Sequence, residues 1–547
     1  MAGSMKEVKI TVHDGVEIAL ALYMPDGPGP FPVLLAASPY RYDNNTLPAT
    51  PQFLWRETGP IDFYVEQGYV YANMDIRGCG KSGGEFRLLD RAEQLDLYDV
   101  IQWLGAQSWS NGKVGGIGQS YFCMSQWWMG ILRPPALACI AAFDGLNDPY
   151  RASVYQGGML GDFFGSYWWN QNRIINRHPA NGEHPREQPF DLNLAIGQHP
   201  TFDDFWRERT AADRLHEIEV PLYSVGIWGK VDLHTRGNIH GFQRAGGPKK
   251  LRMNGPINAF AANREFNSPE MHQSLLLPFY DHYLKGKDTD WSTRPAVEYF
   301  VRGANVTRSA DTWPPAHVRY VEYRLSARPS GSVTSLNDGS LEPVSASDTN
   351  LAPSTTYRYP DPAWMFGVVA LGPNMQPDPV RKVLTWCTAP LTEDLEIAGP
   401  ILLKLYASST QTDTDFFVKI SEQMPQSAED RAKGLNPASF WITKGWLRAS
   451  HRATDPQRST AMEPYRNHDR VEPIEPDRVY CYEISIEPMA HRFKKGSRVR
   501  LEMVNGDSSL TDVLWTHYYS PSKIGSDTIH HASDYPSVLI LPVTDGA

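Results

Sequence analysis

The strongest constraint on this chain is a change of rhythm along it. Up to about Pro315, short apolar runs alternate with helix-length patterns; beyond it the helical pattern fades and only strand-like runs remain. Phe31–Ser38 and Tyr69–Ile76 are largely apolar, which suits buried strands. Between and after them, Arg91–Leu104 sets Leu95, Tyr98, Ile101 and Trp103 at roughly helical spacing, Val114–Gly118 reads as a strand, Tyr121–Ile131 as a helix and Ala136–Phe143 as a strand. Alternating β and α elements of this kind require a parallel, doubly wound sheet with helices on both faces.

The alternation breaks over 147–213, where Phe163, Phe164, Tyr167, Trp168, Trp169 and Trp206 mix with polar turns, so this segment is expected to be an inserted helical cap. It resumes with strand Pro221–Trp228, helix Thr235–Arg244, strand Lys250–Asn254 and a helix over Pro269–Leu284. Thereafter Val318–Leu325, Ile401–Ala407, Phe416–Ile420, Val479–Ile486, Val499–Val504 and Ser537–Val543 are strand-like, separated by Pro, Gly, Asn and Asp, the pattern of an antiparallel sandwich of jelly-roll type. Ser345–Pro362, poor in apolar residues, is expected to be a long surface loop. The predicted organisation is therefore an α/β domain in two parts, 1–146 and 214–315, around a cap at 147–213, followed by an all-β domain at 316–547.

Charge and cysteine usage exclude several partners. With 52 basic and 62 acidic residues the net charge is −10, which argues against a nucleic-acid or anionic-membrane surface and for a small-molecule partner. Self-association is left open. Cys79, Cys123, Cys139, Cys387 and Cys481 form no CxxC pair, so reduced thiols and a cytoplasmic location are expected. No uncharged apolar run reaches the ~18 residues of a spanning helix. The opening MAGSMKEVKI reads as a vector-derived start ahead of a second Met, and residues 1–4 are set aside. No cofactor or metal is expected: Asp75-Ile76-Arg77-Gly78-Cys79-Gly80-Lys81-Ser82 lacks the first glycine of a phosphate loop, and His530-His531 has no supporting ligand spacing.

Gly115-Gly116-Ile117-Gly118-Gln119-Ser120-Tyr121 lies between a strand and a helix. A tight turn there lifts the Ser120 hydroxyl above the sheet as a candidate nucleophile, with the Tyr121 N–H at the helix start facing a developing oxyanion. Capping of the helix by Ser120 is the plainer alternative. Asp232, after strand Pro221–Trp228, stands where an orienting acid belongs, and equally where it could cap helix Thr235–Arg244. The base should follow strand Lys250–Asn254, yet Gly255–Ala262 contains no histidine. His240 and His272 fall inside predicted helices and read as surface or packing residues; His234 is too close in chain to Asp232 to be oriented by it easily.

The chain as a whole resembles the cocaine esterase / X-Pro dipeptidyl-peptidase / α-amino-acid ester hydrolase family. The resemblance rests on DGVEIALALYMPDGPGPFPVLL at Asp14–Leu35, SPY at Ser38–Tyr40, DIRGCGKSGGEF at Asp75–Phe86, WSNGKVGGIGQSY at Trp109–Tyr121, VDLHTRGN at Val231–Asn238, DHYLKG at Asp281–Gly286, FKKGSRVRLEM at Phe493–Met503 and YPSVLILPV at Tyr535–Val543. It implies an α/β-hydrolase domain with an inserted helical cap plus a C-terminal all-β jelly-roll domain. It further implies Ser120 as nucleophile, Asp232 as triad acid, and Tyr40 and Tyr121 as the oxyanion hole. Phe163, Phe164, Trp168, Trp169 and Trp228 are the expected pocket wall for a bulky acyl or aryl ester.

The chain departs from the family pattern in four places. Cys123 replaces the glycine expected three residues after Ser120, the basic residue after the oxyanion tyrosine is displaced to Arg41, two extra residues separate Trp228 from Asp232, and the triad histidine of G-P-W-x-H falls on Ala259. The expectation is a serine hydrolase made nearly inactive by a deliberate His→Ala change. The alternatives are a natural chain that has lost or relocated its base, an X-Pro or aminoacyl peptidase using Asp144, Asp148 or Asp162 to hold a substrate amine, and a non-catalytic binding protein.

Overall fold

A computed structural model describes residues 4–43, 57–177, 186–256, 258–332, 335–344, 353–366, 368–371, 375, 382–433, 435, 437–508, 516–517 and 523–544. Ten strands build the first sheet: β1 Ser4–Thr11, β2 Glu17–Met24, β3 Phe31–Ser38, β4 Val70–Asp75, β5 Ser110–Gly116, β6 Leu137–Phe143, β7 Leu222–Ile227, β8 Lys249–Asn254, β9 Val297–Val301 and β10 Val306–Ala310. Their spatial order is β1-β2-β4-β3-β5-β6-β7-β8-β9-β10. The strands from β4 to β9 run parallel, and β1, β2 and β10 are antiparallel additions at the edges. Central strands β3, β4 and β7 are buried almost throughout, as their largely apolar sequences suit, and Asn73, Asp75 and Ser224 are buried with them.

The edge strands were not legible as strands. β1 is largely exposed and carries charges, because it needs only one neighbour and one covered face. Its first residue, Ser4, pairs with Met24, so one of the residues set aside belongs to the sheet.

Helices Arg91–Gly105 and Tyr121–Leu132 pack on this sheet. The first is capped by Asp90, whose carboxylate accepts from the Glu93 N–H at 3.0 Å. The second is buried over all but its last residue, which explains why its sequence, YFCMSQWWMGIL, shows no polar face. The cap is built of short helices, among them Asn170–Arg177, Leu192–Gln198 and Asp204–Arg209, and of two wide π-type turns, Tyr150–Val154 and Phe163–Trp169.

Beyond Arg319 the chain forms an eleven-stranded β domain with the long antiparallel pair Leu395–Ser409 and Tyr480–Phe493 at its centre. The architecture is that of an α/β-hydrolase domain with a cap and a C-terminal all-β domain. Inside the expected loop Ser345–Pro362, Ser354–Tyr359 is a strand paired with Gly525–His530; residues 345–352 lie outside the described residues. Its STTYRY alternation buries Tyr357 and Tyr359 on one face, so few apolar residues suffice. Pro400 sits at a register shift between Gly399 and Ile401, where a strand tolerates proline.

Two apolar cores result. One lies under the sheet and cap; the other joins helix Thr235–Arg244 and β8–β9 to the β domain. Trp228 belongs to the second. Its indole N–H donates to Phe300 O at 2.7 Å and its ring packs on Trp313, so it is a core residue between domains, not part of a pocket wall with the cap aromatics.

Candidate active site

Ser120 occupies the turn between β5 and helix Tyr121–Leu132 at φ 63°, ψ −116°. A non-glycine residue in that conformation stores roughly 1–3 kcal/mol and persists only where its surroundings over-determine it. They do so here. The Ser120 N–H donates to Asp144 O at 2.9 Å, the Gln119 amide to Asp144 Oδ2 at 2.7 Å, and Gly118 at φ 120° leaves room that a Cβ would take from Phe122. The glycine replaced by Cys123 has a structural counterpart across the interface: a Cβ on Gly145 would come within 2.5 Å of Cys123 Cβ. The close approach is kept, with the small residue on the opposite side.

Above the turn, the Ser120 hydroxyl lies beside the Tyr40 phenol, whose pKa burial drives well upward. Trp168 of the cap donates its indole N–H to Tyr40 Oη at 3.1 Å. Its ring stacks on Tyr121 at 5.8 Å and on Phe164 at 4.7 Å. The Tyr121 N–H, at the first helical position, has no intrahelical acceptor. The fold thus brings Ser120, Tyr40, Tyr121, Phe164 and Trp168 together. Trp169 faces Phe86 and Phe190 instead, and Phe163 packs on Tyr167.

Asp232 lies in the loop after β7, buried, with Oδ2 3.3 Å from Lys444 Nζ of the β domain. The Gln156 amide donates to its backbone carbonyl at 2.8 Å. The two extra residues before it fall in a short 3-10 turn, Trp228–Lys230, that delivers Lys230 Nζ to within 2.7 Å of Asp144. His234 Nδ1 sits 3.2 Å from the other Asp144 oxygen, so its carboxylate partner is Asp144 and not Asp232. Despite its burial, Asp144 is held well below the usual carboxylate range by the Lys230 charge and by hydrogen bonds to Lys230 and His234. His272 is a packing residue, fixed between Tyr64 Oη at 2.7 Å and Phe266 O at 2.6 Å. His240 is 3.8 Å from Glu463 in a separate cavity.

Ala259 is the first residue of helix Ala259–Phe266, capped by Asn258, whose side chain accepts from the Ala261 N–H at 3.0 Å. A further carboxyl, with no motif to mark it, stands at this site. Glu57 is 1% exposed, and its backbone carbonyl accepts from the Gln119 N–H at 2.9 Å, one residue before Ser120. Burial pushes its pKa up to about 7, opposed by the Lys230 charge and reinforced by Asp144.

The cavity of about 420 Å³ between cap, helix Thr235–Arg244 and β domain is walled by Arg151, Arg236, His240, Glu463 and Glu487, and does not include Ser120 or Tyr40. Among the described residues, one cluster has metal-like spacing, His13, Asp14 and Asp96, and Arg77 already bonds both of its carboxylates. No helix among the described residues is long and apolar enough to cross a membrane.

Comparison with known proteins matches the model of the X-Pro dipeptidyl-peptidase (S15 family) to residues 14–256, and that of the X-Pro dipeptidyl-peptidase C-terminal non-catalytic domain to residues 289–540. The cocaine esterase of Rhodococcus sp. (strain MB1 Bresler) is 24% identical over 600 aligned residues, covering 98% of each chain. A solved CocE/NonD family hydrolase from Staphylococcus aureus superposes with a TM-score of 0.79 at 26% identity, covering 99% of this chain and 94% of that one. An α-amino acid ester hydrolase structure, 20% identical with a TM-score of 0.75 over 99% of this chain and 96% of that one, shares the fold.

Proposed function

Because the chain belongs to the family of serine hydrolases that includes X-Pro dipeptidyl-peptidases, cocaine esterase and α-amino-acid ester hydrolases, we propose that it cleaves carboxylic esters of small substrates with Ser120 as nucleophile. The observation that carries this reading is the strained Ser120 turn with the Tyr40 phenol beside its hydroxyl. Ser120 Oγ attacks the carbonyl carbon, the oxyanion lies between Tyr40 Oη and the Tyr121 N–H, and loss of the alcohol leaves an acyl-enzyme that water resolves. Phe164 and Trp168, stacked on one another with Trp168 edge-on to Tyr40, suit a bulky acyl or aryl group.

Esters are favoured over amine-anchored peptides because the three carboxylates considered for an amine are engaged. Asp144 meets Lys230, Asp148 pairs with Arg151 at 2.7 Å, and Asp162 accepts from Thr516 at 2.6 Å. With alanine at 259, a mechanism that depended on the family's imidazole would leave the chain nearly inactive, by about 10⁶-fold in rate. That is the state a His→Ala replacement would produce. The test is hydrolysis of short aryl esters by the chain as it stands and by Ala259→His, each against its Ser120→Ala counterpart. Turnover that requires Ser120 in either form supports the reading; its absence in both refutes it.

A further inference from the structure

Glu57 is the one feature of the site that family resemblance does not account for. It stands 63 residues before Ser120 in the chain, yet the Gln119 N–H bonded to its carbonyl fixes it against the nucleophile turn. Both carboxyl oxygens are buried and make no hydrogen bond of full geometry among the described residues. The Ser120 hydroxyl and the Asn263 amide are the polar groups close enough to favour its ionised form. Asn263 lies one helical turn after Ala259 on the same face of helix Ala259–Phe266, so the segment that would carry the family's imidazole meets the Glu57 carboxyl instead. A carboxyl with this burial and no settled partner is aimed at something, and its neighbour is the Ser120 proton.

We propose that Glu57 is the general base of this chain, taking the Ser120 proton in place of the imidazole that position 259 lacks. The inference rests on the reading of Ser120 as nucleophile. The Ser120 O–H proton passes to a Glu57 oxygen while Oγ bonds to the ester carbon and the carbonyl pair moves to the oxyanion. Collapse breaks the bond to the leaving alkoxide, which takes the proton back from Glu57. In the second half Glu57 accepts a proton from water, hydroxide adds to the acyl carbon, and the proton returns to Ser120 as the acid departs. Electrons balance with no other reactant.

The groups facing the carboxyl fit this role. Tyr40 is neutral, the Lys230 ammonium favours the carboxylate, Asp144 opposes it, and His234 and Lys230 offset Asp144. The balance leaves Glu57 titrating at about 7, where a base is half ionised near neutral pH and still basic enough to accept a hydroxyl proton.

The experiment measures kcat and KM against pH for p-nitrophenyl acetate and butyrate on the full chain, with Ser120 labelling by a fluorophosphonate followed by mass spectrometry. The expected result is Ser120-dependent turnover rising through about pH 7, a loss of ~10²–10⁴-fold in kcat and labelling rate in Glu57→Gln, and disappearance of the pH-dependent limb. Glu57→Asp keeps the carboxylate and should retain part of the rate with a limb; circular dichroism and thermal unfolding check that each variant is folded. Three results overturn the proposal while leaving Ser120 as nucleophile. One is Glu57→Gln within about threefold of the parent with an unchanged limb. Another is an effect confined to KM for free-amino esters, which would make Glu57 an amine anchor. The third is a parent chain inert to esters and probe whose Ala259→His form is active through Ser120. Hydrolysis that survives Ser120→Ala in both forms overturns the nucleophile reading itself.

Discussion

A carboxyl buried to serve chemistry should weaken the fold, and Glu57→Gln measures by how much. Glu57 titrates at about 7 in the folded chain against 4.5 for the free group. The folded state therefore binds more protons than the unfolded one between these values, and stability falls as pH rises through that window. Above pH 7 the full penalty applies, 2.5 pKa units or about 3 kcal/mol, while below pH 4 it vanishes. At pH 5 the same arithmetic leaves roughly 1 kcal/mol. Glutamine fills the same volume and cannot ionise, so its advantage over glutamate should grow by about 2 kcal/mol from pH 5 to pH 8. For a domain of about 300 residues that is on the order of 1.5 °C per kcal/mol, or about 3 °C in Tm. Differential scanning calorimetry of both forms at several pH values reads the difference directly, and any constant offset between amide and acid cancels. A Tm difference that stays flat across this range would show that Glu57 is not held protonated at low pH, and would remove the physical basis for its titration at about 7.

Other perturbations test the rest of the site. Tyr40→Phe should lower kcat by about 10²–10³-fold with little change in Tm, as loss of one oxyanion donor does; near-normal kcat would remove Tyr40 from the oxyanion hole. Lys230→Met removes a charge that favours ionised Glu57, so the alkaline-rising limb of kcat should move above pH 7; breaking its buried pair with Asp144 should also lower stability by about 3 kcal/mol, and an unmoved limb would contradict the placement of Lys230. Gly145→Ala should cost about 1–3 kcal/mol by driving its new methyl into Cys123 and the Ser120 carbonyl oxygen, and a Tm unchanged by the substitution would refute the close approach at this contact.

What the sequence disclosed follows from which signals are local. Helix Thr235–Arg244 was legible to the residue because its pattern sits between turn residues, and β3 because its apolar run up to Ala37 admits little else. The tight strand-to-helix turn at Ser120 was legible because such a turn needs small residues at fixed offsets. Strand Ser439–Arg448 was missed: Lys444 and Gly445 interrupt its apolar run, and Lys444 is the residue that reaches Asp232. Trp228 was read as pocket because an aromatic residue at a strand end looks the same whether it faces a ligand or a second core. Glu57 carried no local mark. Only the fold carries Glu57 to the Ser120 turn, and only the alanine at 259 gave a reason to look for another proton acceptor.

The strain at Ser120 and the burial of Glu57 bear on whether the site is a remnant. Each costs stability, about 1–3 kcal/mol for the backbone of Ser120 and about 3 kcal/mol for the carboxyl above neutral pH, and neither gains packing that an ordinary residue could not supply. A site that had lost only its imidazole would keep the first cost and have no cause for the second. Asp232 supports the same conclusion from the other side. In an imidazole mechanism an acid at Asp232 would stabilise the imidazolium as it forms, whereas here Lys444 Nζ lies 3.3 Å from that carboxylate. A histidine at 259 that relied on Asp232 would have to compete with Lys444 for that carboxylate. Ala259→His should gain less than the ~10⁶-fold that a restored triad implies, and a full gain would mean that Lys444 gives up Asp232 when an imidazole is offered.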